Sequence, residues 1–359
     1  MQDRTEALVE AVREAAAVGQ PLRITGGGSK AWYGRAVADE AVPLAVAGHA
    51  GIVQYAPSEL VVTVRAGTSL AELEAALAEA GQRLPFEPPR TGPAATVGGA
   101  VAAGLSGPAR PWRGALRDAL LGVRLINGQG EPLRFGGQVM KNVAGYDVSR
   151  LMAGALGTLG VLLEVSLKVE PRPPAEETRR FELDAATALA RLAEWQRQPL
   201  PLTGALHDGE ALYLRLAGGE GGLQAARERL GGEACPPAEA PWEALRDLCH
   251  PFLDVTADMD APPLWRLSLP PAAPPTGLPG REWIDWGGAQ RWLRSPAPAA
   301  DIRARAEALG GHATLFGPHD GHGAVFHPLP APLLALHRRV KAALDPQGLF
   351  NPGRLYPDL

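Results

Sequence analysis

Three glycine-rich turns, each beside an apolar strand or helix, constrain this chain more than any other feature. In the stretch 141–163, KNVAGYDVSRLMAGALGTLGVLL, Gly154, Gly157 and Gly160 mark a turn leading from a short helix into a β-branched run that starts at Val161. A turn stripped of side chains inside apolar packing lets a flat or anionic ligand approach the backbone. Two similar turns lie upstream: Ile24-Thr25-Gly26-Gly27-Gly28-Ser29-Lys30 and Ala95-Thr96-Val97-Gly98-Gly99-Ala100. In the first, Gly26, Gly27 and Gly28 can adopt conformations closed to other residues and present successive N–H groups to a pyrophosphate. In the second, Thr96 opens a small-residue helix whose N-terminus points a positive dipole outward. A single glycine run is common turn punctuation. Three on one half of a chain point to a large cofactor held by backbone amides.

The chain has 359 residues, 46% of them hydrophobic, which suffices for two domains with sizeable cores. A net charge of -4 gives no reason to expect nucleic acid or an anionic membrane as partner. No apolar run approaches the roughly 20 residues that span a bilayer. The opening segment MQDRTEALVEAVREAAA reads as an acidic amphipathic helix and not a signal peptide, so a cytoplasmic location is expected. The only cysteines are Cys235 and Cys249, too few for a four-thiolate iron–sulfur cluster. Electrons leaving a redox group here must pass to substrate, solvent or another polypeptide.

Along the chain, residues 3–18 read as a helix capped by Asp3 and stopped by Gly19, and Ser69 with Glu72 forms a capping box for a second. Residues 118–126 and 161–169 read as buried strands, and Asn127-Gly128-Gln129-Gly130 as a hairpin turn. Strands mixed with helices and hairpins argue for an α+β fold and against a doubly wound parallel sheet. The segment 170–178, EPRPPAEET, reads as a proline-rich linker. Beyond it, two βαβ-like halves suggest a small ferredoxin-like cap domain. The domain expectation is therefore 1–170 for cofactor binding, 171–328 for a cap, and 329–359 as a C-terminal segment returning to the first domain.

The stretches PLRITGGGSKAWYGR, ATVGGAVAAGLSGPARPWRGALRDALLG and RFGGQVMKNVAGYDVSRLMAGALGTLGVLLEVSLKV, with VFHPLPAPLLALHRRVKAALDPQGLFNPGRLY at the end, together resemble the FAD-binding domain of the vanillyl-alcohol oxidase/p-cresol methylhydroxylase family. Within that family the likeness is to the small FAD-binding subunits of bacterial glycolate oxidases. The resemblance implies FAD held at the first loop by Thr25 to Lys30. It places Thr96, Val97, Gly98 and Gly99 along the ribityl and ring portion, with Gly104 and Leu105 near the ring. Gly154, Gly157, Thr158, Gly160 and Val161 take the adenine and ribose side. Asn351 in FNPGR resembles a residue near the flavin ring; a helix-capping asparagine is the alternative. Relatives that bind FAD covalently use a histidine in the first loop or an added cysteine. Neither residue type stands in this first loop, and both cysteines lie beyond the first domain, so non-covalent FAD is expected.

Catalytic relatives carry an H-x-G-D-G-N-L-H-P-like strand end, whereas residues 317–328 read GPHDGHGAVFHP. Only His327-Pro328 matches. His322 and His327 are the candidates for a base; solvated histidines on a glycine-rich loop are the alternative, and no metal site is assigned. Arg113, within a group that includes Arg110, Arg117 and Asp118, is a candidate for a substrate carboxylate. The resemblance with an eroded catalytic strand implies an accessory subunit of a glycolate-oxidising complex. Its expected partners are a second FAD-binding subunit carrying the full histidine motif and an iron–sulfur subunit, with any membrane contact peripheral and made through them. A self-sufficient dehydrogenase for D-lactate or a related 2-hydroxy acid, and a structural subunit without turnover, stand as alternatives.

Overall fold

The computed structural model describes residues 3–137, 146–255, 261–317 and 324–359. The chain opens with helix α1 (Thr5–Val18), in which Leu8, Val9, Val12 and Ala15 form the buried stripe. Asp3 accepts the Thr5 N–H at 2.9 Å, so it caps from one residue further out than expected, and Gly19 closes the helix at φ 65. Two short parallel strands follow, β1 (Leu22–Thr25) and β2 (Val42–Ala45). Strands β3 (Ile52–Ala56) and β4 (Val61–Arg65) lead to α2 (Leu70–Glu79), capped by Ser69 through the Glu72 N–H as its sequence dictates. After the short β5 (Gln82–Arg83) come three short helices: α3 (Val97–Ala103), α4 (Arg110–Arg113) and α5 (Leu116–Ala119). The hairpin strands are β6 (Leu120–Ile126) and β7 (Pro132–Gly136). Asn127 stabilises their turn by accepting the N–H groups of Gln129 and Glu131. Helix α6 (Val148–Met152) precedes β8 (Val161–Lys168).

These strands form one antiparallel sheet in the order β3-β4-β8-β6-β7. β8 is central and buried on both faces from Val161 to Leu167. Each of its buried Leu and Val side chains contributes roughly 1.5–3 kcal/mol of transfer free energy.

The expected linker is structured. β9 (Glu170–Pro171) pairs with β5, and β10 (Ala175–Phe181) is a strand of the next sheet. Its polar composition hides it, because its charges are met by neighbours: Glu177 by Arg227 at 2.8 Å, for example. The sheet continues through α7 (Ala185–Trp195), β11 (Leu202–His207), β12 (Leu212–Gly218), α8 (Glu220–Leu230), β13 (Glu233–Cys235) and α9 (Trp242–Asp247). It then runs through β14 (Leu264–Ser268), β15 (Arg281–Asp285), β16 (Gln290–Arg294), α10 (Ala299–Ala308) and β17 (His312–Leu315).

The strand order is β13-β10-β12-β11-β15-β16-β14-β17, antiparallel throughout its named pairs. Each four-strand half has the ferredoxin-like order 4-1-3-2. The halves join edge to edge at His207 and Ile284, so the expected small cap is an eight-stranded sheet. Finally α11 (Ala331–Leu344) leads a tail back to β1: Leu22 N–H donates to Leu349 O, and Asn351 N–H to Leu22 O.

Candidate cofactor-binding cleft

Where β1 stops pairing with β2, the chain turns through Gly26, Gly27 and Gly28 across the start of α3. A Cβ on Gly27 would lie 1.5 Å from the Ala94 carbonyl oxygen, and one on Gly26 2.5 Å from Thr96 Oγ1. Gly28 has φ +71, a conformation that side chains disfavour. The loop therefore lies against the second glycine turn. Its own amides are left over: among the described residues no protein atom accepts from the N–H groups of Gly26, Gly27, Gly28 or Ser29. Consecutive unpaired N–H groups on one loop form an anion-binding concavity.

The start of α3 differs from expectation. Val97 N–H donates to Thr68 O, Gly98 N–H to Ala66 O, and Gly99 N–H to Thr96 Oγ1 at 3.1 Å. These amides are spent inside the protein, because the end of β4 runs close against them. Gly98 and Gly99 line the cleft as bare backbone, and α3 offers little beyond its dipole.

The third turn completes the wall through Leu156, Gly157 and Gly160, and Asn351 ties it to the first. Its Oδ1 accepts the Ile24 N–H at 2.8 Å and its Nδ2 donates to Leu156 O at 2.7 Å. Asn351 caps no helix; it pins β1 to the third loop and borders the cleft. The open cleft has a volume of about 440 Å³. Of the sequence-derived candidates, Thr25, Gly26, Gly27, Gly28, Ser29, Lys30, Thr96, Gly98, Gly99, Gly157, Gly160 and Asn351 line it together.

The other candidates do not reach it. Val97 and Val161 are core residues, and Thr158 turns inward, its carbonyl accepting from Lys341 Nζ at 2.7 Å. Gly104 packs on the Gly154 backbone, and Leu105 lies in the core between the two sheets.

Three cations and one carboxylate border this cleft: Arg23, Lys30 and Arg354 against Asp39. Burial pushes the Lys30 amine down to about 8, and its Nζ donates to Pro89 O at 2.9 Å. Arg354 donates only to the carbonyls of Ala31, Tyr33 and Arg35, and burial lowers its pKa. Its charge thus has no carboxylate partner among the described residues. Free amides and the uncompensated Arg354 guanidinium suit a pyrophosphate. Arg23, Asp39 and Arg354 escaped sequence reasoning, although Arg354 stands three residues after Asn351 in the same motif.

The catalytic candidates lie elsewhere. His327 Nε2 is 3.0 Å from Glu307 on α10, its Nδ1 accepts the Ala313 N–H, and it does not border the cleft. Arg113 faces Glu170 at 3.7 Å, beside the β5–β9 pair. His322 lies outside the described residues. Among the described residues no group of three or more His, Cys, Asp or Glu side chains could hold a metal.

Residues 3–136 match the family described as FAD binding domain, and residues 328–355 the C-terminal domain of FAD linked oxidases. Glycolate oxidase subunit GlcE of Escherichia coli (strain K12) is 52% identical over 357 residues, 99% of each chain. The chain belongs to the GlcE family of FAD-linked oxidase subunits. More distant relatives match locally: glycolate oxidase subunit GlcD of Bacillus subtilis (strain 168) is 31% identical over 35% of this chain and 27% of its own. A solved alkyldihydroxyacetonephosphate synthase shares the fold with TM-score 0.68 at 15% identity, over 98% of this chain and 75% of its own.

Proposed function

We propose that this chain is the FAD-binding subunit of a complex that oxidises glycolate, or a closely related 2-hydroxy acid, and passes the electrons to a partner subunit. The observation that carries the reading is the convergence of three glycine loops on one cleft with unpaired amides, in a chain alike over its whole length to a glycolate oxidase subunit. FAD, held non-covalently, supplies the two-electron acceptance that no side chain here can provide. Gly26 to Ser29 hold its pyrophosphate through their N–H groups, with Lys30, Arg354 and Arg23 balancing the charge. Asn351 keeps the first and third loops at a fixed separation around it.

The partners are a second flavin subunit carrying the complete histidine motif and an iron–sulfur subunit, at the cytoplasmic side of the membrane. That His327 is engaged by Glu307, away from the cleft, supports an accessory subunit over a self-sufficient dehydrogenase. No helix among the described residues is long and apolar enough to cross a membrane, consistent with any attachment running through partners.

The test is the assembled complex carrying Gly27→Ala in this chain. The added Cβ collides with the Ala94 carbonyl, so the loop must shift, and flavin in this subunit is expected to fall below one-tenth occupancy, with glycolate-dependent dye reduction falling alongside it. A complex that lacks this flavin yet oxidises glycolate at the full rate would refute the redox role.

A further inference from the structure

Helix α11 turns an apolar face to the outside. A surface helix ordinarily sends its apolar stripe inward and its charged residues outward. In α11 the buried residue is Lys341, and helical spacing puts Pro332, Ala335, Leu336, Arg339, Ala342 and Ala343 on the side away from it, all exposed. Helix α1 shows the ordinary pattern, its exposed positions including Glu6, Glu10, Arg13 and Glu14. Leu333 and Leu336, one turn apart on α11, are 40% and 45% exposed. Among the described residues no other helix or strand exposes two large apolar side chains. Exposed apolar side chains gathered on one face mark an interaction surface.

Charge and position say what covers this face. The helix carries no Asp or Glu. Arg338 is met by Asp358 of the tail, whereas Arg339 has no carboxylate within 4.0 Å among the described residues. A second copy docked about a two-fold axis would set these cations against their own equivalents, with no acid on the helix between them. A different protein with carboxylates at its rim fits instead. The face is also tied to the cofactor cleft by packed rings. Tyr33, whose N–H donates to Lys30 O at the cleft wall, lies 5.8 Å from Phe326 between ring centres. Phe326 lies 6.1 Å from Tyr356, and Tyr356 lies 6.5 Å from His337 on α11. Tyr356 is fixed by donating its hydroxyl to His327 O at 3.0 Å, and Arg354, at the cleft, donates to Tyr33 O at 2.7 Å. An acceptor of electrons has to dock near the redox site it serves, and this face stands three ring contacts from the cleft wall.

We propose that the outward face of α11 is the docking surface for the iron–sulfur subunit, through a contact patch on that subunit that is apolar in the middle and carboxylate-bearing at the rim. Leu333 and Leu336 supply the apolar centre, and Arg339 the charge that orients the encounter. The inference rests on the reading of this chain as a subunit that passes its electrons to a partner, and adds which surface makes the contact.

The test uses the complex assembled from the full chain, the histidine-motif flavin subunit and the iron–sulfur subunit, purified through a tag on this chain. Subunit ratios are read by mass, and iron is measured separately. The parent is expected to retain the iron–sulfur subunit with its iron. Leu333→Glu combined with Leu336→Glu should leave less than one-tenth of both, while the variant chain purified alone binds FAD as the parent does. Arg339→Glu, at an exposed position that folding does not use, should weaken retention of the iron–sulfur subunit at least tenfold. Val53→Glu, on β3 and as exposed as Leu336, should change nothing. A double variant that keeps the full iron complement, or that loses the histidine-motif flavin subunit alone, overturns this docking surface and leaves the subunit reading intact. A parent chain that purifies with neither partner overturns the subunit reading, and this surface with it.

Discussion

Lys341 is one of four lysines in the chain and is buried where the tail meets the third loop. Its Nζ donates to Thr158 O at 2.7 Å, Asp345 Oδ2 at 2.7 Å and Phe350 O at 2.9 Å, satisfying all three ammonium protons. Asp345 in turn accepts the N–H groups of Leu349 and Phe350, so the pair sets the path of the tail just before Asn351. Burial holds the Lys341 amine below the ordinary lysine range, outweighing the pull of Asp345. The pair therefore specifies geometry more than it adds net stability, and breaking it differs from replacing it.

Lys341→Met leaves the buried Asp345 carboxylate without its cation and orphans two carbonyls. Loss of one partner of a buried pair costs about 3–5 kcal/mol. The two amides that Asp345 keeps place the expectation near the lower end. Chemical denaturation should show this loss, and cofactor affinity should fall as Asn351 loosens. Lys341→Met with Asp345→Leu removes the charge imbalance and should recover most of the stability, because apolar replacement of both partners is often neutral. A single variant within about 1 kcal/mol of the parent, or a double variant no better than the single, would refute this reasoning.

Two further outcomes concern pH. Lys30 titrates at about 8 in the cofactor-free protein, so it is charged below that pH and neutral above it; FAD affinity measured by fluorescence quenching should fall as pH rises through 8, and Lys30→Met should flatten that fall. The Asp285 carboxyl is pushed up to about 7, chiefly by burial, above its unfolded value near 3.9. The folded state then binds more protons in that window, so unfolding free energy should decline as pH rises from about 4 to about 7, and Asp285→Asn should remove the slope.

Local signals were legible wherever one residue satisfies a backbone group close by. Ser69 capping α2, Gly19 ending α1 and Asn127 closing the hairpin are such cases, and each reads directly from spacing. β10 was not legible: its run of charges looks like a linker, and only partners elsewhere, such as Arg227, make it a strand. The glycine loops announced a cofactor, but a loop has two sides. Gly26 to Lys30 face the cleft, while Thr158 and Val161 in the same kind of motif turn into the core. Arg354 shows the other limit. Its site is built from the carbonyls of Ala31, Tyr33 and Arg35, more than 300 residues away in sequence, as the separation of 319 from Arg35 shows, and no local pattern reports that meeting.

The most direct test of a non-covalent FAD cleft is the visible spectrum of the purified full chain before and after acid precipitation. A yellow supernatant whose pigment is FAD is the expected result. Colour retained in the pellet would contradict non-covalent binding, and a colourless protein that takes up no added FAD would contradict the cleft itself.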